Sequence, residues 1–237
     1  MTNVHSDRRT ELQANLDEVQ ARIRAAEAAA GRPVGSVTLV VVTKTWPASD
    51  IELLTSLGVH EVAENRHQEA VGKYDQLQGL DLRWHFIGQL QRNKCRAVAQ
   101  YVDVVESVDR LELVQALDRA ASEADRVVDA LVQVDLQEPL APHRGGAAPA
   151  DVQRIADVIA SSTALRLRGV MAVAPLDQDP RAAFERLREL HQQLLSEHPQ
   201  AEVMSAGMSG DLESAVAAGT THVRIGTAVL GHRAYVG

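Results

Sequence analysis

Leu12, Leu16, Val19, Ile23 and Ala26 recur at spacings of three and four, which places them on one stripe of a helix with Asp17, Glu18, Arg22 and Glu27 on other faces. Gly31-Arg32-Pro33 ends that helix, because glycine supplies a left-handed cap and proline cannot continue the hydrogen-bond ladder. Beyond it the pattern changes. Short apolar, β-branched runs fall at Val37–Thr43, Val59–Ala63, Leu82–Phe86, Val102–Val105, Val127–Val134, Leu165–Val170, Glu202–Met204 and His222–Ile225, each followed by a helix-like segment. Several of those segments carry start signals: Asp109-x-x-Glu112 before an apolar run, Pro149 opening Ala150–Ser161, and Ser209 ahead of a run ending at Gly219,.

Strand and helix thus alternate eight times with no Ser/Gly linker or compositional break. The spacing predicts an α/β fold: a single (β/α)8 TIM barrel of one domain, residues 1–237, with an extra N-terminal helix (1–31) packed on it. An open doubly wound sheet is the alternative, although such sheets usually have fewer strands. Asp135–Ala148, with Pro139, Pro142, Gly145 and Gly146, reads as a long loop after the fifth strand,.

Composition narrows the partners. At 237 residues the chain can build its own core, and 45% hydrophobic with 24% charged residues is ordinary for a soluble globular protein,. Lys plus Arg number 24 against 32 Asp plus Glu, a formal charge of −8, which is the wrong sign for a general nucleic-acid binder. The one cysteine, Cys95, cannot form an internal disulfide, and no Cys/His spacing resembles a metal site,. No apolar stretch approaches the roughly 20 residues a membrane span needs, and residues 1–9 have no apolar leader region,. A cytoplasmic protein is expected.

In a (β/α) barrel the working residues project from the C-terminal ends of the strands. These would be Lys44, Glu64-Asn65, His85, Glu106-Ser107, Asp135, Met171, Ser205 to Ser209, and Arg224-Ile225-Gly226-Thr227. An amine at the mouth of an apolar barrel is a candidate nucleophile toward a carbonyl, since desolvation favours the neutral form. Position alone favours a plainer reading, a lysine that begins a surface loop. Ser205-Ala206-Gly207-Met208-Ser209-Gly210 and Gly226-Thr227 combine hydroxyls and glycines just before helical segments, where backbone N–H groups can cradle a phosphate. Lysine, arginine and anion cradle together suggest pyridoxal phosphate, whose aldehyde needs an amine. His85, between Trp84 and Phe86, reads first as a hydrogen-bonded core residue and second as a general base. His67, His143, His191, His198 and His232 receive no role.

Val42-Thr43-Lys44-Thr45, Ala63-Glu64-Asn65-Arg66-His67-Gln68-Glu69, Trp84 through Lys94, Leu167-Arg168-Gly169-Val170-Met171, Ser205-Ala206-Gly207-Met208-Ser209 and Val223-Arg224-Ile225-Gly226-Thr227-Ala228 occur in that order over nearly the whole chain. On these motifs the sequence resembles the YggS/PROSC family of pyridoxal phosphate homeostasis proteins. The resemblance implies a barrel like the N-terminal domain of alanine racemase, with pyridoxal 5′-phosphate (PLP) as an internal aldimine on Lys44. It also implies a phosphate held by Ser205, Met208, Ser209, Gly226 and Thr227, with Arg224 near the pyridine nitrogen and Asn65 beside the ring.

The family is regarded as a PLP carrier or regulator without established turnover, so PLP-dependent apoenzymes are implied partners. Departures from the pattern are Ala63 for glycine, Arg66-His67 for an aromatic-aliphatic pair, Glu106 for histidine, and His143-Arg144 where a lysine is expected. A two-base racemase needs a second proton-transfer group. In the racemases it resembles a tyrosine from another domain supplies it, whereas Tyr74, Tyr101 and Tyr235 fall in a helix, before a strand and in the tail, so negligible racemase activity is expected. The resemblance without the second domain that helps pair the racemases implies a monomer. The alternatives are a PLP-dependent amino-acid racemase and a phosphosugar aldolase or isomerase working through a Schiff base.

Overall fold

The computed structural model describes residues 2–140 and 145–231. Among these, the eight apolar runs form β1 (Thr38–Val42), β2 (Glu61–Glu64), β3 (Arg83–Phe86), β4 (Val104–Val108), β5 (Val128–Val134), β6 (Leu165–Ala172), β7 (Val203–Ser205) and β8 (His222–Ile225). They pair in parallel and in sequence order, and β8 returns to β1 through Val41 and Ile225, closing the barrel. The helices outside it are α1 (Thr2–Ala29), α2 (Ala48–Ser56), α3 (His67–Gln76), α4 (Cys95–Val98), α5 (Leu111–Glu123), α6 (Val152–Ala160), α7 (Pro180–Glu197), α8 (Leu212–Ala217) and α9 (Thr227–Leu230). None is long and apolar enough to cross a membrane.

The period-2 alternation of β1 explains its two-sided burial. Val40 and Val42 meet Ala63 inside the barrel, while Val41 packs outward against the helical layer. The expected stripe of α1 is buried, with Leu12, Leu16, Val19, Ile23 and Ala26 packed against Leu212 and Val216 of α8 and Val229 and Leu230 of α9. Each fully buried leucine contributes about 1.5–3 kcal/mol. Polar contacts add direction: Arg22 donates to Ser209 O at 3.0 Å and pairs with Glu213 at 2.9 Å, and Asn15 donates to Val229 O at 2.9 Å. Helix α1 therefore braces, from outside, the two segments that follow β7 and β8.

Several local expectations are corrected. Glu106-Ser107 lies within β4 rather than beyond it, at a point where the register with β5 slips between Val105 and Val108. Such a bulge re-aims side chains, and the Glu106 side chain is completely buried. Met171 likewise lies inside β6. Ser209 does not cap α8; Asp211 holds that position, and its carboxylate accepts from Met208 N at 2.6 Å. Before α5 the cap is Arg110, whose side chain pairs with Asp109, so the expected Asp109/Glu112 box is not formed. The segment after β5 is a loop tied back by Asp135 N to Ala147 O at 2.9 Å and Ala147 N to Gln133 O at 2.7 Å. His143, Arg144, His232 and Tyr235 lie outside the described residues.

Candidate functional site

The C-terminal ends of the strands surround a cavity of about 440 Å³, within the range of small-molecule sites. Lys44, Asn65, Met208, Ser209, Arg224, Gly226 and Thr227 all line it, so barrel closure brings together seven of the eight residues expected to bind. Ser205 is the exception. It is fully buried beneath the floor, where its hydroxyl donates to Glu106 Oε2 at 2.7 Å and accepts from Arg224 Nη1 at 2.7 Å.

Lys44 follows β1 by two residues and its side chain is exposed. The desolvation expected of it is therefore not provided by the protein alone. Its chain neighbours are tightly held. Lys73 Nζ, buried on the inner side of α3, donates to Thr43 O at 2.8 Å and pairs with Glu64 at 2.6 Å and Glu69 at 2.7 Å. Glu69 accepts the Thr45 N–H, and Glu64 accepts the Thr43 hydroxyl at 2.6 Å. Thr45 has a φ of 69°, a left-handed conformation that costs a non-glycine residue about 1–2 kcal/mol and that these bonds hold in place. Burial pushes the Glu64 carboxyl up, against the opposing pull of Lys73 and Thr43.

Behind the opposite wall a second network crosses the barrel interior. Arg224 is 3% exposed, donates through Nη2 to Ala172 O at 2.8 Å, and stands 3.5 Å from Glu106. Glu106 Oε1 meets His85 Nδ1 at 2.7 Å, and His85 Nε2 meets Glu61 at 2.5 Å. Burial alone would push His85 down, but its bonds to Glu106 and Glu61 carry it up to about 9. Burial would likewise raise Glu106, yet His85, Arg224 and Ser205 bring it to about 2. Two cations and two carboxylates thus balance inside the barrel, as buried charges require. His85 belongs to this core and does not line the mouth cavity, which supports the plainer reading of it.

The third wall is made of backbone donors. Among the described residues no protein acceptor pairs with the N–H of Ser209 or Gly210, and the first-turn N–H groups of any helix, here Thr227 and Ala228 of α9, have no partner within it. Met208 contributes its side chain alone, because its N–H is taken by Asp211. A Cβ on Gly210 would meet nothing within 4 Å, whereas one on Gly226 would lie 3.1 Å from Val42 O. Orphan donors, two hydroxyls, one permanent cation and one free amine suit a phosphate-bearing carbonyl compound, so these residues fit the cofactor the sequence suggested.

Sequence reasoning missed three features. Gly88 lines the cavity, and a Cβ there would fall 2.1 Å from Asn65 O; only glycine lets the segment after β3 approach the Asn65 backbone this closely. Lys73 and Glu69, four apart on a helix, look in sequence like a surface ion pair. The His85–Glu106 contact needed the β4 bulge. Among the described residues no group of side chains could hold a metal ion.

The chain is similar to known proteins over nearly its whole length. The family described as alanine racemase, N-terminal domain, matches residues 14–234. The pyridoxal phosphate homeostasis protein of Mycobacterium leprae is 40% identical, over 97% of this chain and 95% of its own length. The protein of the same name from Pseudomonas aeruginosa is also 40% identical, over 93% and 95%. Among solved structures, PipY of Synechococcus elongatus with PLP bound superposes with a TM-score of 0.81 at 33% identity, covering 93% of this chain and all of that one.

Proposed function

The chain belongs to the alanine racemase N-terminal domain family, and we propose that it is a PLP-holding homeostasis protein whose barrel mouth carries the cofactor on Lys44. The observation that carries this reading is the convergence of an exposed lysine, a fixed arginine and unpaired backbone donors on one cavity. The names of the Mycobacterium leprae relative and of the PLP-bound PipY support it. PLP supplies an aldehyde that condenses with amines and a ring that can withdraw electrons once its nitrogen is protonated.

In this reading Lys44 supplies the amine, and Ser209, Gly210 and Thr227 hold the phosphate by hydrogen bonds to a dianion. Asn65 and Met208, which line the cavity, would lie beside the bound cofactor, and Ser205 acts from below by holding Arg224 rather than by touching the cofactor. Arg224 can donate but not accept a hydrogen bond. A ring nitrogen bound beside it would be held unprotonated, which would favour storage over bond-breaking chemistry.

The reading takes 1–237 as one unit, a monomer that passes PLP to PLP-dependent apoenzymes. A reducing, cytoplasmic setting suits its one cysteine, Cys95, which is buried and pushed up to about 11 by that burial. The proposed lack of turnover is tested by incubating PLP-loaded protein with single L- and D-amino acids and separating enantiomers and amines by chiral chromatography. No product above the free-PLP background is expected. Sustained racemisation or decarboxylation of any one amino acid would overturn the carrier reading in favour of an enzyme.

A further inference from the structure

Lys44 Nζ has no protein partner among the described residues, while the peptide groups on both sides of it are held by one side-chain cluster. On the N-terminal side Lys73 donates to Thr43 O at 2.8 Å; on the C-terminal side Glu69 accepts the Thr45 N–H. Lys73 joins the two halves, pairing with Glu69 at 2.7 Å and with Glu64 at 2.6 Å, and Glu64 in turn accepts the Thr43 hydroxyl. Lys73 is 6% exposed. A buried ammonium with three acceptors arranged on its three protons has all its donors matched. The cluster makes no use of the cavity itself.

We propose that Lys73 and Glu69 are positioning residues for Lys44: a clamp, closed across α3 and β2, that fixes the backbone at residues 43–45 so that the Lys44 amine enters the cavity at one place. Pre-ordering a nucleophile matters because a displacement of about 1 Å can cost on the order of 100-fold in rate. The clamp has a second effect. With both nearby carboxylates engaged by Lys73, neither is left to draw the Lys44 amine into an ion pair. The inference rests on the PLP-holding reading and deepens it. The step concerned forms a bond from Lys44 nitrogen to an aldehyde carbon, expels one water, and needs no oxidant or reductant.

The test uses the full chain freed of cofactor, as wild type, Glu69→Ala, Glu69→Gln and Lys73→Met. Stopped-flow absorbance after mixing with PLP reads covalent capture, and dialysis against pyridoxine 5′-phosphate, which has an alcohol in place of the aldehyde, reads noncovalent affinity. Amide hydrogen exchange at Thr45 in the ligand-free protein reads the clamp directly. We expect capture to slow at least 10-fold in Glu69→Ala and Lys73→Met, with pyridoxine 5′-phosphate affinity within twofold of wild type and faster Thr45 exchange in Glu69→Ala. Glu69→Gln, which keeps an acceptor for the Thr45 N–H, should recover most of the rate.

Capture within twofold of wild type in Glu69→Ala, or a parallel loss of pyridoxine 5′-phosphate affinity, would overturn the clamp. Glu69 is half-buried at the edge of α3, so its variants decide the matter even where Lys73→Met fails to fold. A wild-type protein that shows no capture at all would instead overturn the PLP-holding reading, with Thr45 exchange still judging whether the clamp exists.

Discussion

Arg224 and Glu106 stand 3.5 Å apart inside the barrel with Ser205 hydrogen-bonded to both. The pair sits directly below the cavity and fixes the cation that faces it. Breaking a buried pair leaves one charge uncompensated, at a cost of about 3–5 kcal/mol. Glu106→Gln should therefore lower the urea-unfolding free energy by an amount in that range, and it should loosen Arg224 enough to shift the absorbance band of bound PLP. A variant as stable as wild type with an unchanged spectrum would show that Ser205 and Ala172 O hold Arg224 without the Glu106 charge.

The same core sets a pH window. His85 is raised from its ordinary 6.5 to about 9, so its contribution is complete below about pH 6.5 and is lost as pH rises through about 9. Glu106 is lowered from 4.5 to about 2, so its contribution is complete above about pH 4.5 and is lost as pH falls through about 2. Burial lowers His222, beside the same groups, from 6.5 to about 4, so its contribution is complete above about pH 6.5 and is lost as pH falls toward 4. Urea midpoints should be highest near pH 6.5 and decline on both sides, with His85→Gln flattening the alkaline limb. An alkaline limb equally steep in His85→Gln would contradict this assignment.

The anion cradle, rather than the covalent bond, should supply most of the affinity. Hydrogen bonds to charged groups contribute about 1.5–3 kcal/mol each, and several converge here. Lys44→Ala should still retain PLP noncovalently in equilibrium dialysis. Gly210→Glu places a carboxylate in open space at the cavity rim and should weaken binding at least 100-fold without unfolding the protein. Gly226→Val is a poorer probe, because its Cβ would crowd Val42 O at 3.1 Å. Normal PLP retention by Gly210→Glu would place the phosphate elsewhere.

Gly88→Ala tests the packing of the mouth. A methyl 2.1 Å from Asn65 O must move backbone, and overpacking of this kind costs about 1–3 kcal/mol. A lowered melting temperature together with weaker PLP binding is expected, and a variant with wild-type values for both would show that the β3 turn yields freely.

Much of this was legible in the chain. The β-branched runs gave all eight strands, and Leu12 through Ala26 gave the buried face of α1, because both signals are local periodicities. Lys44, Asn65, Arg224 and Gly226 reached the cavity because a closed barrel leaves strand ends nowhere else to point. What stayed hidden depended on contacts between distant segments. Ser205 alternates inward to lie under Arg224 instead of at the mouth, Glu106 is turned by a bulge, and Lys73 is buried only because α3 lays that side against β2.

The central claim, that this barrel holds PLP on Lys44, is tested most directly by borohydride reduction of the PLP-treated protein followed by peptide mass mapping. A single reduced pyridoxyl phosphate adduct on the peptide carrying Lys44, absent from Lys44→Ala, is the result this account predicts. An adduct on another lysine such as Lys73 or Lys94 in the wild type, or no adduct at all, would contradict it.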